Sequence, residues 1–446
     1  MKRLYTVKGL LLAGTLLLAE APAFAEGYQV NTLSTRQLGM GHTGFALKLG
    51  AESQFFNPAG MAFMENKVEA DASFNAIMPT ATATVAGKEY KTDCDPSTPF
   101  SVFGAFSILD NLKAGISVYT PYGSSINWTD HWPGATLNQS VKLSAFTVQP
   151  TVAWRVIPGL SVGAGLTLTW GSVNLHKGLL SGEQLDQLIH LLAPQLPVPS
   201  FASITPASAQ LTGNAGIACG VNLGAMYDIS RNVTAGINFR SKSMMKVKSG
   251  KANVEYAVTD PTIQGMLAQR LDGLSKTEFT AEMPLPAVLG FGASWHNNRW
   301  TAAFDAQLTF WSAYKSLDIE FKGADDLNQH LEKNYHNSWL VRGGVEWKAA
   351  KRLDVRAGLM VDFSPCDKEY YNPETPGMTK IEPTLGCTFN PTDWLGVNVG
   401  FMYVAGLGVD DASYTTENII TKQPVTFTAD YRLHSFTASL GVSLKF

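Results

Sequence analysis

A single stretch of this sequence matches a cofactor-binding motif. Residues 39–44 (GMGHTG) fit the G-x-G-x-x-G pattern, which holds the pyrophosphate of a dinucleotide where a strand turns into a helix. No strand-turn-helix pattern surrounds this stretch and no βαβ pattern follows it. We therefore expect these glycines to allow sharp turns in a compact segment rather than to bind a nucleotide.

Other enzyme and metal motifs are missing from the sequence. It contains no H-E-x-x-H, G-x-S-x-G, paired C-x-x-C or Walker pattern, and its eight histidines are scattered. We predict that the protein is not an enzyme and has no catalytic residues, no metal site and no cofactor. The alternative of a barrel enzyme acting on lipids would need a nucleophile and a base side by side at the membrane rim.

The four cysteines are too few for a disulfide scaffold in a chain of 446 residues. Cys94 and Cys366 fall in predicted loops on the same side of the protein. The sequence leaves two interpretations open, a disulfide between these two residues or unpaired thiols.

Basic side chains could provide a different chemistry, the binding of a carboxylate. The candidates lie on the polar faces of predicted strands and are Arg240, Lys242, Arg342 and Arg356. The alternative is that they form internal ion pairs with acidic residues on the same faces, namely Asp305, Glu346, Asp354 and Asp362. For any one of the basic residues we favour the ion pair.

The chain begins with the features of a secretory signal peptide. A positive start, an apolar run over residues 9–19 and an A-x-A cleavage signal at residues 23–25 predict that residues 1–25 are removed. Taking their three basic and one acidic residues from totals of 34 and 37 leaves a net charge of −5. That balance argues against binding to nucleic acid.

Alternation of apolar and polar residues with a period of two is the main structural signal in the rest of the chain. Each alternating segment has an apolar face of about 10 residues, the length of a tilted membrane strand. No run of about 18 apolar residues follows the signal peptide, so membrane-spanning helices are excluded. The clearest alternating segments are residues 160–170, 217–227, 300–310, 353–363, 395–403 and 436–446.

The connections between these segments alternate between short and long, as in outer-membrane barrels. The short ones lie at residues 110–111, 158–159, 230–232, 296–298, 349–352 and 390–393. The long ones lie near residues 80–98, 123–139, 174–213, 250–280, 312–336, 364–378 and 405–433. The predicted fold is all-β, a 14-stranded antiparallel transmembrane β-barrel formed by residues 66–446, with long extracellular loops.

The tryptophans support this orientation, because indole rings prefer the two membrane interfaces. Five are predicted at the ends with short turns: Trp154, Trp295, Trp300, Trp347 and Trp394. Three more are predicted at the ends with long loops: Trp170, Trp311 and Trp339.

Two of the long loops are predicted to contain helices with apolar faces. Ser181 and Gln184 form a capping box before one helix, and Asp260 followed by Pro261 starts the other. The apolar positions are Leu185, Leu188 and Ile189 in the first helix and Ile263, Met266 and Leu267 in the second. They either enclose a groove for a hydrophobic ligand or pack together to cover the mouth of the barrel.

Residues 26–65 precede the first alternating strand and include the apolar stretch QFFNPAGMAF at residues 54–63. Left in the periplasm, Phe55 and Phe56 would form an exposed apolar patch. We therefore predict that residues 26–65 fold into the lumen as a plug. Pro58 would fix a turn there, and Asn57 would hydrogen-bond to neighbouring backbone.

An ordered set of motifs along the mature chain resembles the FadL family, the outer-membrane transporters of long-chain fatty acids and, in some branches, of aromatic hydrocarbons. The motifs are residues 27–31 (GYQVN), 38–44 (LGMGHTG), 57–59 (NPA), 149–155 (QPTVAWR), 285–287 (LPA), 311–312 (WS), 355–358 (VRAG) and 362–365 (DFSP).

The resemblance implies a monomer in the bacterial outer membrane, surrounded by its lipids, that transports hydrophobic small molecules. A ligand would be caught in a groove between the helical outer loops, move to an internal pocket and leave sideways through a kink in the third strand. It also implies that Asn57, Pro58 and Ala59 belong to the plug and that Tyr28 lies near the pocket.

The third-strand kink is expected at residues 120–123 (TPYG), because Pro121 cannot donate a ladder hydrogen bond and Gly123 permits a bulge. The sequence does not decide between fatty acids and aromatic hydrocarbons. An open porin or an adhesin that uses the extracellular loops remains an alternative, although an apolar plug argues against an open pore.

Overall fold

The computed structural model describes residues 27–192, 195, 200–375, 377–417 and 423–446, so the predicted signal peptide lies outside the described residues. The described part of the chain contains twenty strands in one antiparallel sheet: β1 (Val68–Val85), β2 (Lys88–Lys91), β3 (Phe100–Leu109), β4 (Leu112–Asn127), β5 (Ser140–Ile157), β6 (Leu160–Leu180), β7 (Ala207–Asp228), β8 (Val233–Arg240), β9 (Ser243–Tyr256), β10 (Glu278–Leu285), β11 (Val288–His296), β12 (Trp300–Thr309), β13 (Ser316–Phe321), β14 (Gln329–Glu332), β15 (Ser338–Ala350), β16 (Leu353–Asp362), β17 (Lys380–Thr392), β18 (Leu395–Gly406), β19 (Val409–Glu417) and β20 (Pro424–Lys445).

Helices are few and short. The α-helices are α1 (Thr35–Leu38), α2 (Ser53–Phe56), α3 (Gly182–Leu192) and α4 (Pro261–Ser275). Five 3-10 helices cover Gly50–Glu52, Pro58–Phe63, Trp311–Ala313, Asp325–Leu327 and Lys368–Tyr370. Among the described residues, no helix is long and apolar enough to cross a membrane.

Fourteen of the strands form a closed ring, which confirms the predicted barrel. Neighbours in the ring follow chain order, and β20 closes it by pairing with β1 from Glu69 opposite Lys445 to Thr84 opposite Asp430. The order is β1, β3, β4, β5, β6, β7, β8, β11, β12, β15, β16, β17, β18 and β20. The remaining strands extend the wall beyond the long-loop end.

The alternation in the sequence explains which face of each strand turns outward. On β12, Phe304 is 53% exposed while its neighbour Asp305 is 1% exposed, and on β16 Leu359 is exposed while Arg356 is buried. Apolar side chains thus point to the outside of the ring, where lipid can solvate them, and polar side chains point into the lumen.

The connections have the predicted asymmetry, but several strands are longer than the sequence pattern indicated. Strand β6 continues to Leu180 and β7 begins at Ala207, so both ends of the predicted 174–213 loop belong to a strand pair that continues beyond the apolar alternation. Beyond Trp170 the outward side chains become polar, which ends the apolar alternation without ending the strand.

The tryptophans at the strand ends are exposed as predicted, except for Trp311. Seven of the eight tryptophans assigned to strand ends are 39–48% exposed. Trp311 is instead fully buried and lies against Tyr28, their ring centroids 4.9 Å apart. A 3-10 turn at residues 311–313 rotates this side chain inward, which a strand-based alternation cannot foresee.

Candidate functional site

The N-terminal segment, defined here as residues 27–65, contacts strands all around the inside of the ring. Ser101 on β3 donates a hydrogen bond to the carbonyl of Leu33, and Ser294 on β11 donates one to Ala46. Thr35 is hydrogen-bonded to Ser439 on β20. These contacts come from strands on different sides of the ring, so the segment lies across the lumen.

Asn57, Pro58 and Ala59 form a turn that is held by several hydrogen bonds of the Asn57 side chain. The Asn57 side chain accepts a hydrogen bond from the amide of Ala59 at 3.2 Å, which caps the 3-10 helix that begins at Pro58. Its amide nitrogen donates to the carbonyl of Phe45 at 2.7 Å and to two strand carbonyls at 3.2 Å. One side chain therefore ties the turn to the rest of the segment and to β7 and β8.

Glycines on the strands make room for this segment. A Cβ atom on Gly224 would lie 1.9 Å from Asn57 Oδ1, and one on Gly163 would lie 2.4 Å from the carbonyl carbon of Pro58. On the opposite wall, a Cβ on Gly358 would lie 2.1 Å from the amide nitrogen of Gly41. The high glycine content thus serves direct backbone contact between strands and segment.

Gly41 also explains the motif-like GMGHTG stretch. It has a left-handed backbone with φ of +64°, which favours glycine, and its amide donates to Thr384 Oγ1 on β17. These residues turn tightly against the barrel wall, as expected from the sequence.

The aromatic residues of the segment pack together under the turn. The Phe55 ring meets the Phe56 ring edge to face at a centroid distance of 5.1 Å and meets Tyr119 on β4 at 5.3 Å. Phe56 is fully buried. The apolar side chains of Phe55 and Phe56 are therefore buried inside the ring.

Two of the predicted carboxylate-binding arginines are held by acidic partners. Arg342 Nε lies 3.3 Å from Asp305, which also accepts hydrogen bonds from the amides of Gly44 and Phe45. Arg356 Nε lies 2.7 Å from Glu346 Oε2. The geometry corresponds to the alternative interpretation of these residues as internal ion pairs.

The other two candidates, Arg240 and Lys242, differ in burial. Arg240 is buried, donates to the carbonyl of Phe55 at 3.1 Å and lies 4.3 Å from the centroid of the Phe55 ring. Lys242 is exposed and lies in the short connection between β8 and β9.

Strand β4, the third in the ring, is irregular at the predicted kink. Its pairing with β5 shifts register between Tyr119 and Tyr122, and its pairing with β3 ends at Tyr119. Residues 119–122 are buried in succession instead of alternating. The regular alternation of this strand is therefore interrupted at Thr120 and Pro121.

The N-terminus of the segment occupies the strand edge that the kink leaves free. Val30 donates to the carbonyl of Pro121 and Gly123 donates to the carbonyl of Tyr28, both at 2.9 Å. Tyr28 also donates to the carbonyl of Pro284. Tyr28 is thus placed between the kink and the interior.

On its outer face the kink is covered by two aromatic rings. Phe100 on β3 and Phe146 on β5 lie on either side of β4, with ring centroids 6.2 Å apart. Strands two positions apart are normally almost 10 Å apart, so the two rings reach toward each other across β4. Phe146 also stacks on Trp170 of β6 at 6.3 Å.

Both loop helices are present, and their apolar faces are buried. The capping box is formed by reciprocal hydrogen bonds between Ser181 and Gln184, and Asp260 accepts from the amides of Thr262 and Ile263. Leu185, Ile189, Ile263 and Leu267 are each 1–2% exposed, and Leu188 and Met266 are half-buried.

The four buried helix residues, Leu185, Ile189, Ile263 and Leu267, share one apolar cluster with Tyr28 and Tyr122. The cluster, here called the upper cluster, also includes Trp311, Tyr314 and Tyr335, whose rings follow one another from Tyr28 at centroid distances of 4.9 to 5.9 Å. It connects the loop helices to the kink without interruption.

A separate cavity of about 970 Å³ opens at the outer mouth between the loop after β4, α3, β14 and the ends of β19 and β20. The polar face of α3, with Glu183, Gln184 and Gln187, lines this cavity, while its apolar face is turned into the upper cluster. Lys177 and Gln329 also line it. We call this space the mouth cavity.

Sequence reasoning missed Lys177, Lys333 and Glu374, which are all buried at this end of the ring. The signal for Lys177 was available, because Leu175, Lys177 and Leu179 continue the inward-facing positions of β6. It was overlooked because residues 174–213 were interpreted as a loop.

All four cysteines are free. Cys94 is half-buried and Cys366 is buried, its thiol donating to the carbonyl of Tyr370, so the open question of a disulfide is answered in favour of unpaired thiols. Among the described residues no group of side chains could hold a metal ion.

Comparison with known proteins gives a consistent result. Residues 16–446 match the family model described as "Outer membrane protein transport protein (OMPP1/FadL/TodX)". The long-chain fatty acid transport protein of Shigella flexneri is 21% identical over 444 residues, which cover 94% of this chain and 96% of that protein.

Two solved structures have the same fold. A FadL homologue from Pseudomonas aeruginosa aligns with a TM-score of 0.80 and 18% identity, covering 94% of this chain and 100% of the homologue. The Pseudomonas putida toluene transporter TodX aligns with a TM-score of 0.66 and 17% identity, covering 96% and 100%. At these identities the structural likeness establishes the fold and leaves the substrate open.

Proposed function

The chain belongs to the OMPP1/FadL/TodX family of outer membrane transport proteins, and on that premise we propose that its substrates are long-chain fatty acids. It is a transporter of hydrophobic small molecules in the outer membrane. The choice of fatty acids is supported by its similarity to the long-chain fatty acid transport protein of Shigella flexneri. The choice between fatty acid and aromatic hydrocarbon is the part that requires an experiment.

The upper cluster is the single observation that carries the proposed route. It extends from the buried faces of α3 and α4 to Tyr28 and Tyr122 beside the kink. A hydrophobic ligand that displaces side chains along this cluster stays out of water, which is worth about 0.8 kcal/mol for each buried CH₂ group. Leu188 and Met266, half-buried at the edge of the helices, are the proposed first contacts.

The proposed exit lies at Pro121 and Gly123. There the ladder between β3 and β4 ends, and the N-terminal segment pairs with β4 in place of the next strand. Withdrawal of Tyr28 from this edge would open a sideways path from the upper cluster to the lipid around the ring. A hydrophobic ligand leaving by this path would not have to cross the aqueous periplasmic end.

Residues 26–65 are proposed to be the plug, and Asn57, Pro58, Ala59, Phe55 and Phe56 are proposed to keep it closed. The hydrogen bonds of Asn57 to β7 and β8 and the contact between the Phe55 ring and Arg240 support this role. We also propose that one chain is the functional unit, surrounded by outer-membrane lipids, because the ring closes on itself.

Uptake in cells whose own transporters of this family have been deleted tests the substrate class. Cells that make this chain and cells with an empty vector are given radiolabelled oleate or radiolabelled toluene at equal levels of outer-membrane protein. We expect faster oleate uptake in the cells that make the chain. A gain for toluene alone would assign the aromatic hydrocarbon alternative, and no gain for either would contradict the proposal.

Conductance in a planar bilayer tests the plug. The intact chain is expected to pass no steady ionic current, whereas a chain lacking residues 26–64 should form a folded barrel that conducts. A large steady current through the intact chain would favour an open porin instead.

A further inference from the structure

The outer surface of the ring has a depression just beyond its apolar band, here called the wall depression. Its volume is about 520 Å³, and it is formed by residues of β5, β6, β7 and β9. Lys142 and Lys251 line it, and its other lining residues are serine, threonine, asparagine, glycine and valine. The lining is therefore cationic and rich in hydrogen-bond donors, and it includes no acidic side chain.

Cross-strand pairing places the two lysines at opposite ends of one row of side chains. Lys142 lies opposite Asn174, Asn174 opposite Thr212, and Thr212 opposite Lys251. Three strand spacings of about 4.8 Å separate the ends of the row, so the backbones of the two lysines are about 14 Å apart. The whole row points outward, because the residues next to it along the strands belong to the buried upper cluster. These neighbours are Leu143, Leu175, Leu211 and Ala252.

The charges of this row are not neutralised by the surrounding wall. Glu278 on β10 lies opposite Lys251, but its Oε2 is 2.6 Å from Lys322 Nζ. In the described ranges of the chain, the ion pairs of this surface include neither Lys142 nor Lys251. Both lysines are exposed and are therefore available to an anion from outside.

Basic side chains around β1 and β20 at the same end of the ring are arranged differently. Arg432 lies 2.6 Å from Asp410, and Lys91 lies 3.8 Å from Glu89. Positive charge without an acidic neighbour is thus a feature of the wall depression and not of this whole end of the barrel.

The depression lies at the level of lipid head groups. On β6 the last apolar side chain that points outward is Trp170, which is 39% exposed. The next outward positions are Ser172 and Asn174, about 7 and 13 Å further along the tilted strand. Indole rings mark the boundary between hydrocarbon and head groups, and the long loops of outer-membrane barrels are on the extracellular side. The neighbouring lipid is therefore that of the outer leaflet, lipopolysaccharide.

We propose that the wall depression binds the phosphorylated glucosamine disaccharide of lipopolysaccharide, with one phosphate on Lys142 and the other on Lys251. The two phosphates are carried at opposite ends of the disaccharide, which suits two cations at opposite ends of a row. Asn174 and Thr212, between the lysines, donate hydrogen bonds to phosphate and sugar oxygens. The acyl chains descend over Phe146 and Trp170, whose rings stack directly below. The inference goes beyond transport and does not depend on which molecule is transported.

Native mass spectrometry of the purified full chain in detergent tests the site, because it counts bound lipids. The probes are lipid A with both phosphates and the same lipid with one phosphate, in buffer containing EDTA so that divalent cations cannot bridge to carboxylates. K142Q/K251Q removes both charges, and K142R/K251R keeps them. K88Q/K91Q is the matched control, because it removes two exposed lysines of β2 at the same end of the ring. Heat-modifiable migration on gels verifies that each variant is folded.

The wild type is expected to prefer the lipid with two phosphates. K142Q/K251Q should lose about tenfold in affinity for this lipid, whereas K142R/K251R and K88Q/K91Q should keep the wild-type affinity. K142Q alone and K251Q alone should bind the two lipids about equally, because each has one lysine left to pair with one phosphate.

Three results would overturn the proposal. The first is equal affinity of K142Q/K251Q and the wild type for the lipid with two phosphates. The second is an equal loss in K88Q/K91Q, which would show only a general attraction between positive protein and negative lipid. The third is complete displacement of the lipid by an equimolar amount of inorganic phosphate, because the sugar and acyl chains would then contribute nothing to binding.

Discussion

The lower interior of the barrel and its outer mouth both contain buried ion pairs, and they differ in how closely they are packed. In the lower interior, Arg342 is paired with Asp305 and Arg356 with Glu346. At the mouth, Lys177 has the amide of Gln329 as its partner. The mouth also contains the buried pair of Lys333 and Glu374, and the lower interior contains Arg240, whose partners are the carbonyl and the ring of Phe55, so charge pairing does not separate the two regions.

The lower interior is more closely packed than the mouth. Around the N-terminal segment, strand glycines allow backbone to approach backbone, and Phe56, Met61 and Ala62 are fully buried. At the mouth, a cavity of about 970 Å³ remains between loops that come from separate parts of the chain. The proposed closure would then be a property of the closely packed lower interior, and the proposed capture of ligand a property of the mouth.

The largest predicted effect comes from breaking a buried ion pair of the lower interior. Asp305→Ala leaves Arg342 and the amides of Gly44 and Phe45 without their acceptor, and we expect the free energy of unfolding to fall by about 3–5 kcal/mol. Urea unfolding of the barrel in detergent, followed by tryptophan fluorescence, measures this change.

Glu282→Ala is the matched control for that change. It removes an acidic partner of Lys246 in an ion pair that is about half exposed, and it should cost at most about 1 kcal/mol. If both substitutions have similar effects, the lower interior does not depend on its buried charges and the comparison fails.

The second prediction concerns the glycines that face the N-terminal segment. Gly224→Val places a side chain where Asn57 Oδ1 lies, so we expect the turn at Asn57 to shift and the free energy of unfolding to fall by about 1–3 kcal/mol. Planar-bilayer recordings should show ionic current through the displaced segment.

Gly216→Val is the control for overpacking, because it lies on the same strand and no atom lies within 4 Å of its added Cβ. It should leave conductance at the wild-type level. If Gly224→Val passes no ionic current, the contact between Gly224 and Asn57 is not what closes the lumen.

Much of the lower interior was predictable from the sequence, because its constraints are local and periodic. The period-two alternation identified the ring of fourteen strands, and the apolar residues before the first strand indicated a segment inside it. The ion pairs were foreseen as an alternative, since Asp305 and Arg342 occupy inward positions of neighbouring strands.

The mouth was predictable only in part. Capping rules placed both loop helices, because a capping box such as Ser181 with Gln184 is a local signal. The proximity of Lys177, Lys333 and Glu374 depends on loops that are almost 200 residues apart in the chain, and no pattern in one sequence contains that information. Trp311 was misassigned for the same reason, since its environment is set by Tyr28.

The third prediction tests whether the mouth is held by such local interactions. Asp260→Ala removes the acceptor for the amides of Thr262 and Ile263, and we expect up to about 2 kcal/mol of local destabilisation of α4. Hydrogen exchange should become faster in residues 261–275 and stay unchanged in the ring strands. Gln269→Ala, an exposed change in the same helix, is the control, and an equal change in ring strands would contradict the local interpretation.

The last prediction concerns the aromatic pair that covers the kink. Phe146→Ala removes one ring of the Phe100–Phe146 contact, and aromatic pairs of this kind contribute up to about 1.5 kcal/mol beyond the area they bury. Removing it should favour the open form of the proposed exit and raise the rate of oleate uptake by up to about tenfold when release limits transport.

Phe401→Ala is the matched control, because Phe401 and Phe436 form a similar outward-facing pair with centroids 6.1 Å apart. That pair joins β18 and β20, which are adjacent strands with a continuous ladder, so its loss exposes no gap in the wall. Both substitutions remove a phenylalanine ring from an outward-facing pair. They differ in the strand that lies behind the pair and in the additional stacking of Phe146 on Trp170. Faster uptake in Phe146→Ala alone would therefore locate the exit at the kink of β4, and equal rates in the two variants would place the exit elsewhere.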